Sequence, residues 1–228
     1  MVDNMAKNSE QHWIPLADLM TGLMMMFMLI AVLYMLRVSN AVSSYTASKD
    51  ELGRDLCAEF SKDLIKWHAE CDSKNLVIRF KSPDVLFDTG QSTLKPQFAI
   101  ILNDFFPRYI KILSQDKYKD NIEEIRIEGH TSSKWRIGIN DNQAYFLNMQ
   151  LSQARTLSVL QYALVSTNTQ NKDWVKGILT ANGLSSSKLI YNDDGTENQQ
   201  GSQRVEFKVR TNADEHIQQI INDLGQNK

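Results

Sequence analysis

The chain lacks the features that mark most enzymes and nucleic-acid-binding proteins. Its 25 basic and 27 acidic side chains give a formal charge of −2, which removes the electrostatic case for binding phosphates. The four histidines show no HExxH spacing, and there is neither a GxSxG nor a P-loop motif. We therefore expect a protein that is not an enzyme, binds no nucleic acid, and uses neither a metal nor another cofactor.

Cysteine is equally scarce. The two cysteines, Cys57 and Cys71, are too few for a disulfide framework and lack the companions of a zinc site. In an oxidising compartment such as the periplasm, two cysteines can close one loop. The sequence leaves three alternatives open: two unrelated thiols, an intramolecular Cys57–Cys71 disulfide, or a bond between two subunits.

Charge is almost absent from one segment near the N-terminus. Between Trp13 and Leu36, Asp18 is the only side chain expected to ionise near neutral pH. A helix of this length would extend about 36 Å, enough to cross a hydrocarbon core of about 30 Å. The apolar stretch is longer than that of a signal peptide, and only one basic residue, Lys7, precedes it. We predict a retained transmembrane helix over residues 13–37.

Asp18 is the informative residue of this helix. A carboxylate in the hydrocarbon region costs several kcal/mol, so it should face a protein partner or a watery cavity, or be protonated. Two hypotheses follow. Asp18 carries an ion along a path whose other wall a multi-helix partner supplies, or it is an interfacial acid in a passive membrane anchor.

Apolar periodicity continues beyond the membrane segment. Apolar side chains from Val38 to Trp67 recur mostly every three or four residues, which predicts an interrupted helical connector over residues 38–74. Gly53 is a weak point in this helix. The apolar stripe could pair two copies of the chain or pack on the domain that follows.

Residues 75–212 show the mixed pattern of an α+β domain with a mixed sheet, in the order β-α-β-α-β-β. Strands are predicted over 76–80, 122–128, 188–191 and 204–210, and helices over 96–113, 151–165 and 173–181. Pro107 should kink or end part of the first of these helices. Residues 213–228 predict a short amphipathic tail helix.

The sequence WIPLADLMTGLM at residues 13–24 resembles the membrane helix of MotB-type stator subunits, and most of all that of the stator-like subunits of Zorya anti-phage defence systems. The resemblance implies that Asp18 carries the translocated ion, H⁺ or alternatively Na⁺. It also implies a homodimer within a ring of a multi-span MotA-like (ZorA-like) subunit, in a five-to-two complex. The alternatives are a flagellar MotB-type stator subunit, a passive anchor without ion flow, and an ExbD- or TolR-type energy-coupling subunit.

Three later segments resemble the OmpA-like peptidoglycan-binding domain: GHT at 129–131, NMQLSQAR at 148–155 and SQRVEF at 202–207. This second resemblance disfavours the energy-coupling alternative. It implies a β-α-β-α-β-β sandwich domain that binds the cell wall.

Asn148, Leu151 and Arg155 match the peptidoglycan pocket of that family. An arginine fork suits a bidentate grip on a stem-peptide carboxylate. Each residue also has a structural alternative, because Asn148 could cap a helix beginning near Leu151, Leu151 could serve packing, and Arg155 could be a solvated helix arginine.

The sequence departs from the family at one position. The family usually has Gly-His-Thr-Asp, whose aspartate holds the amine of diaminopimelate, whereas Ser132 stands at that place here. Asp141, in a stretch longer than typical, is a candidate to replace the missing charge. We expect peptidoglycan binding with an altered grip on the amine.

The resemblances imply a single-pass protein of the bacterial inner membrane, with residues 1–12 in the cytoplasm and the C-terminal domain in the periplasm. The flanking charges do not decide this orientation, because Lys7 precedes the helix and Arg37 follows it.

Overall fold

The computed structural model describes residues 3–81, 83–166 and 170–212. The chain forms two compact units, Met1–Thr46 and Ala47–Lys228. The helices are α1 (Asp3–Phe60), α2 (Pro83–Leu86), α3 (Pro96–Leu113), α4 (Asp116–Lys119), α5 (Asp141–Val165), α6 (Lys172–Ile178) and α7 (Gln199–Ser202). The strands are β1 (Ala69–Asp72), β2 (Val77–Phe80), β3 (Ile122–His130), β4 (Leu179–Gly183) and β5 (Arg204–Thr211).

The first unit contains the N-terminal part of α1. Its segment Pro15–Asn40 has a mean hydropathy of 2.3, and its side chains are exposed. At 1.5 Å per residue these 26 residues are long enough to cross a membrane core. Leucine and methionine dominate the segment, and both have high helix propensity. The helix runs through Pro15.

The second unit is built on a five-stranded mixed sheet with the order β1-β2-β5-β3-β4. β3 pairs in parallel with β4, and the other neighbours are antiparallel. In β5, Val205, Phe207 and Val209 alternate toward the core, and Phe207 lies opposite Ile127 of β3. The predicted α+β fold with a mixed sheet is confirmed.

Aromatic rings pack between the sheet and α3. Phe105 of α3 lies 4.9 Å from Phe207 and 5.2 Å from Phe80 between ring centroids, distances typical of favourable edge-to-face pairs. Phe60, at the end of α1, lies 5.1 Å from Phe105. The end of α1 is therefore part of this core.

Leu52, Leu56 and Phe60 form the buried stripe of α1 in the second unit, and each is at most 2% exposed. The apolar stripe of the predicted connector thus packs on the domain, at least in this segment, and β1 joins the sheet before residue 75. The helix also continues through Gly53 without interruption, contrary to the sequence interpretation. A Cβ at this position would overlap the carbonyl group of Ser73, so glycine permits a close backbone approach.

The two cysteines form an intramolecular disulfide. Cys57 of α1 and Cys71 of β1 lie 5.6 Å apart between Cα atoms, within the usual range for this bond. The bond ties the edge strand to the end of α1. The free-thiol and inter-subunit alternatives are thereby set aside.

Two helices differ from their predicted form. α3 runs through Pro107 without ending there. α5 begins at Asp141, well before residue 151, because the side chain of Asn140 accepts a hydrogen bond from the Gln143 amide and caps it. The idea that Asn148 caps this helix is therefore wrong, since Asn148 lies inside it.

The C-terminal third contains a strand where a helix was predicted. α6 ends at Ile178, and the next five residues form β4, so the predicted helix over 173–181 is too long. The predicted strand over 188–191 is also wrong: only an isolated bridge from Tyr191 to Glu197 forms there. The predicted tail helix over 213–228 lies outside the described residues.

Candidate functional site

The end of β3 and the middle of α5 come close together because Gly129 has no side chain. A Cβ on Gly129 would lie 2.7 Å from Thr156 Cγ2 and 2.9 Å from the Ser152 carbonyl oxygen, which is too close. The hydroxyl of Ser152 also accepts a hydrogen bond from the Ser185 amide at 3.1 Å. These contacts fix α5 against the strand ends and create a concave surface beside them.

A cavity of about 390 Å³ opens at this surface. Its walls come from the 89–90 turn, the loop after β3, α5 and the segment before β5. The lining residues are Thr89, Gly90, Thr131, Ser132, Lys134, Trp135, Asn148, Leu151, Arg155, Gln199 and Gln203. The structure thus brings the three residues of the family motif, Asn148, Leu151 and Arg155, to one cavity.

Asn148 shapes the loop after β3. Its side-chain amide donates to the carbonyl oxygens of Ser132 at 3.1 Å and of Lys134 at 3.3 Å. Asn148 is buried, and these bonds hold the loop against α5. Leu151 supplies a half-buried apolar wall to the same cavity.

Arg155 is a buried cation at the cavity wall. The residue is 7% exposed, so it is not a solvated helix arginine. Its Nε donates to the Gln91 carbonyl at 2.9 Å and its Nη2 to the Asp88 carbonyl at 3.2 Å, while the guanidinium lies 4.8 Å from the Phe87 ring centroid. Burial lowers the pKa of Arg155 to about 10, so the side chain stays charged at neutral pH.

No acidic side chain pairs with Arg155 among the residues that the structure describes. Buried charges in proteins are normally paired, because desolvation is expensive. An unpaired guanidinium on the wall of an open cavity is therefore suited to receive an anionic group of a ligand.

Asp141 does not line the cavity that contains Arg155. It is the first residue of α5 and lines a neighbouring groove with Trp135, Ile137 and other residues of the loop. Ser132, at the place of the family's aspartate, does line the Arg155 cavity. The groove of Asp141 shares Lys134 and Trp135 with the Arg155 cavity, and the role of Asp141 in replacing the missing charge stays a prediction.

Lys134 is a cavity residue that sequence reasoning missed. It is exposed, lines the same cavity as Arg155, and lies two residues after Ser132. Its position next to the Gly-His-Thr motif was the available signal. The loop conformation set by Asn148 determines where its side chain lies.

A second polar cluster contains Glu128, His130 and Glu206. His130 Nε2 lies 3.8 Å from Glu128 Oε2 and 3.9 Å from Glu206 Oε2, and neither ring nitrogen has a hydrogen-bond partner in the described part of the chain. Burial, aided by the charge of Arg204, lowers the pKa of His130 to about 4, so the ring is neutral at physiological pH.

The negative charge of Glu206 in this cluster is already balanced by two arginines. Its Oε1 accepts from Arg79 and from Arg204, each at 2.6 Å, and these bonds lower its pKa despite burial. A divalent cation between the three side chains would face both guanidinium groups. The cluster is therefore better explained as an ion-pair network that joins β2, β3 and β5.

Asp18 lies in the first unit, on the apolar segment of α1, and its side chain is exposed. One turn further along, the hydroxyl of Thr21 donates to the Ala17 carbonyl oxygen at 2.6 Å. This bond satisfies the hydroxyl within the helix. Asp18 is the only side chain between Trp13 and Leu36 that is expected to ionise near neutral pH.

No protein-family model matches the chain. The crystal structure of a MotB-like protein from Desulfovibrio vulgaris is similar in fold, with a TM-score of 0.50 and 20% identity over 75% of this chain and 95% of that one. The chain therefore has a fold similar to that of MotB-like periplasmic domains.

Two curated relatives that are similar in sequence define the family more narrowly than the fold does. A Zorya protein ZorB from Escherichia coli (strain Crooks) is 45% identical over 221 residues, which cover 93% of each chain. A ZorB from a second strain of Escherichia coli is 22% identical over 211 residues, 87% of this chain and 79% of that protein. The chain belongs to the ZorB family.

Proposed function

We propose that this chain is the wall-anchored subunit of an ion-driven motor in the inner membrane, and that the motor serves Zorya anti-phage defence. The family membership supports a stator-like anchor in a Zorya system. Ion translocation by Asp18, a homodimeric state and a MotA-like (ZorA-like) partner are the further parts of the proposal.

Asp18 is the observation that carries the motor part of the proposal. It is the one acid in an exposed apolar helix segment with a mean hydropathy of 2.3. An intramembrane acid needs a partner surface or an aqueous path. One helix cannot form such a path, so a multi-span subunit would supply its other wall.

In the proposed mechanism, two copies of the chain thread their helices through a ring of five partner subunits. A proton, or a sodium ion, binds at Asp18 and leaves on the other side of the membrane. One charge that crosses 100 mV releases about 2.3 kcal/mol, which is available to turn the ring. The second unit holds the cell wall, so that the ring turns against a fixed support.

The cavity around Arg155 supports the wall-holding part. Its buried guanidinium has no acidic partner within the described chain, and stem peptides of peptidoglycan carry carboxylates. The disulfide supports the orientation, because structural disulfides persist in the oxidising periplasm. The second unit would then lie in the periplasm and residues 1–12 in the cytoplasm.

The test is Asp18→Asn in cells that carry the complete defence system. The variant removes the ionisable group with little change in size, so we expect loss of ion flux and of phage protection. Binding of the purified chain to peptidoglycan sacculi should be unchanged. Met25→Leu, an apolar exchange on the same helix, is the matched control and should retain all three properties.

A passive anchor makes the opposite prediction. If Asp18→Asn keeps full phage protection while sacculus binding is intact, Asp18 carries no ion that the defence needs. The motor part of the proposal would then be wrong, and the wall anchor would remain.

A further inference from the structure

A second groove, of about 410 Å³, lies beside the Arg155 cavity. Residues 133–139, in the loop between β3 and α5, and the first turn of α5 form this loop groove. Lys134 and Trp135 line both the loop groove and the Arg155 cavity. The two depressions therefore adjoin, and one branched ligand could occupy both at once.

The loop that forms this groove is fixed at both of its ends. Asn148 holds its first residues against α5. Glu197 accepts from the Ser133 amide at 2.8 Å and, through its other oxygen, from the Ser133 hydroxyl. At the other end, Asn140 caps α5. A loop that is held in this way loses little conformational entropy when a ligand binds, so the groove is largely formed in advance.

Apolar side chains alternate along the loop groove. Ile137 is fully exposed, and Trp135 and Ile139 are half-buried. Single exposed apolar side chains are common on protein surfaces, but here three of them line one concave surface. A concave surface with apolar walls and a few polar groups is typical of a ligand-binding site.

The composition of the loop groove suits a sugar chain. A pyranose ring has apolar C–H groups on its face and hydroxyl groups at its edge, and the flat indole of Trp135 offers a matching apolar surface. Lys134 and Arg136 supply hydrogen-bond donors, and Asp141 supplies acceptors. In peptidoglycan every stem peptide is attached to a sugar. A peptide in the Arg155 cavity therefore brings the glycan close to the adjoining groove.

We propose that the loop groove binds the glycan strand of peptidoglycan, with Trp135 stacked on a sugar ring and Ile137 in contact with the apolar face of the chain. This inference rests on the proposed wall anchoring. It adds a second contact, which is made to the sugar chain and does not involve the stem peptide.

Two soluble ligands separate the two contacts: glycan strands from which an amidase has removed the stem peptides, and a free stem tetrapeptide without sugar. Binding of each to the full chain in detergent is measured by calorimetry. Ile137→Ser changes a fully exposed side chain that lines only the loop groove, so the fold should persist. It should weaken binding of the glycan strands about three- to tenfold and leave the tetrapeptide within about twofold.

Two further variants sharpen the test. Trp135→Ala should weaken the glycan strands at least as much as Ile137→Ser, whereas Trp135→Phe, which keeps an aromatic face, should restore part of the binding. Ile65→Ser is the matched control, because Ile65 is also an exposed isoleucine but lies in the turn after α1, outside both depressions. It should bind both ligands like the unmodified chain.

The failures are distinguishable. If intact sacculi retain the chain but the peptide-free glycan strands do not bind, or bind equally well to Ile137→Ser, the inference is wrong and the wall anchor stands. If Ile137→Ser instead converts a dimer to a monomer in light scattering and leaves glycan binding unchanged, the groove pairs two copies and the inference is again wrong. If neither sacculi, glycan strands nor tetrapeptide bind, the proposed wall anchor itself fails.

Discussion

Reduction of the Cys57–Cys71 disulfide should lower the free energy of unfolding by about 3 kcal/mol, because the bond restricts the unfolded chain. The cysteines are separated by 14 positions, and closing a loop of about 15 residues removes conformational entropy worth about 3 kcal/mol at 25 °C. Phe60 and Trp67, whose centroids lie 5.9 Å apart inside this loop, stay packed on Phe105. The folded state should therefore survive reduction.

For a unit of this size, a loss of about 3 kcal/mol lowers the melting temperature by roughly 6–12 °C. Thermal unfolding of the full chain in detergent should show this difference between oxidised and reduced protein. The double variant with Cys57→Ser and Cys71→Ser should melt at the reduced value and ignore added reductant. Equal melting temperatures would refute the reasoning, as would disulfide-linked dimers on non-reducing gels.

Three further predictions concern stability, each measured by urea unfolding. Gly53→Ala should lower the free energy of unfolding by about 1–3 kcal/mol, because the added methyl group meets the Ser73 carbonyl. Gly177→Ala, whose methyl group would enter open space, should leave the free energy of unfolding unchanged or raise it by up to about 1 kcal/mol. Equal effects of the two variants would contradict this reasoning. Acidification from pH 7 to pH 5 should lower the contribution of His130 to the free energy of unfolding by about 2 kcal/mol. The reason is that His130 in the unfolded chain binds a proton near its ordinary pKa, whereas folded His130, with a pKa of about 4, stays neutral at pH 5. This contribution is fully present above about pH 6.5 and is lost as the pH falls toward 4, so an unchanged acid sensitivity in His130→Gln would exclude it. Tyr109→Phe removes a buried hydroxyl that has no hydrogen-bond partner among the described residues, so the free energy of unfolding should stay equal or rise by about 1 kcal/mol. A clear loss of stability would reveal a hydrogen bond.

The elements with strong periodicity could be predicted from the sequence. The strand of residues 204–211 alternates apolar and charged side chains, and α3 has an apolar face over its whole length. β4 could not be predicted in this way, because its sequence LTANG has little strand propensity and continues directly from α6. Its conformation depends on parallel pairing with β3, which is a tertiary contact.

The start of α5 did carry a readable local signal. Asn140 is followed three residues later by Gln143, a spacing typical of a helix N-terminus, although no apolar stripe begins there. Reading it would have placed Asn148 inside the helix.

For the candidate site, the structure brings the motif residues Asn148, Leu151 and Arg155 to one cavity, and their part in peptidoglycan binding stays a prediction. The burial of Arg155 could not be predicted, because the 88–91 turn that supplies its carbonyl partners is remote in sequence. The same applies to Lys134, whose place in the cavity depends on a loop held by Asn148. The short motif thus predicts which residues form the candidate site, whereas the charge environment of these residues depends on the tertiary fold.

The most direct test of the motor is the composition of the complex in the membrane. The chain, expressed with its genomic neighbours and purified in mild detergent, should yield two copies bound to a larger number of copies of a multi-span subunit, counted by native mass spectrometry. A clean homodimer without a membrane partner, with peptidoglycan binding intact, would contradict the account and leave a passive wall anchor.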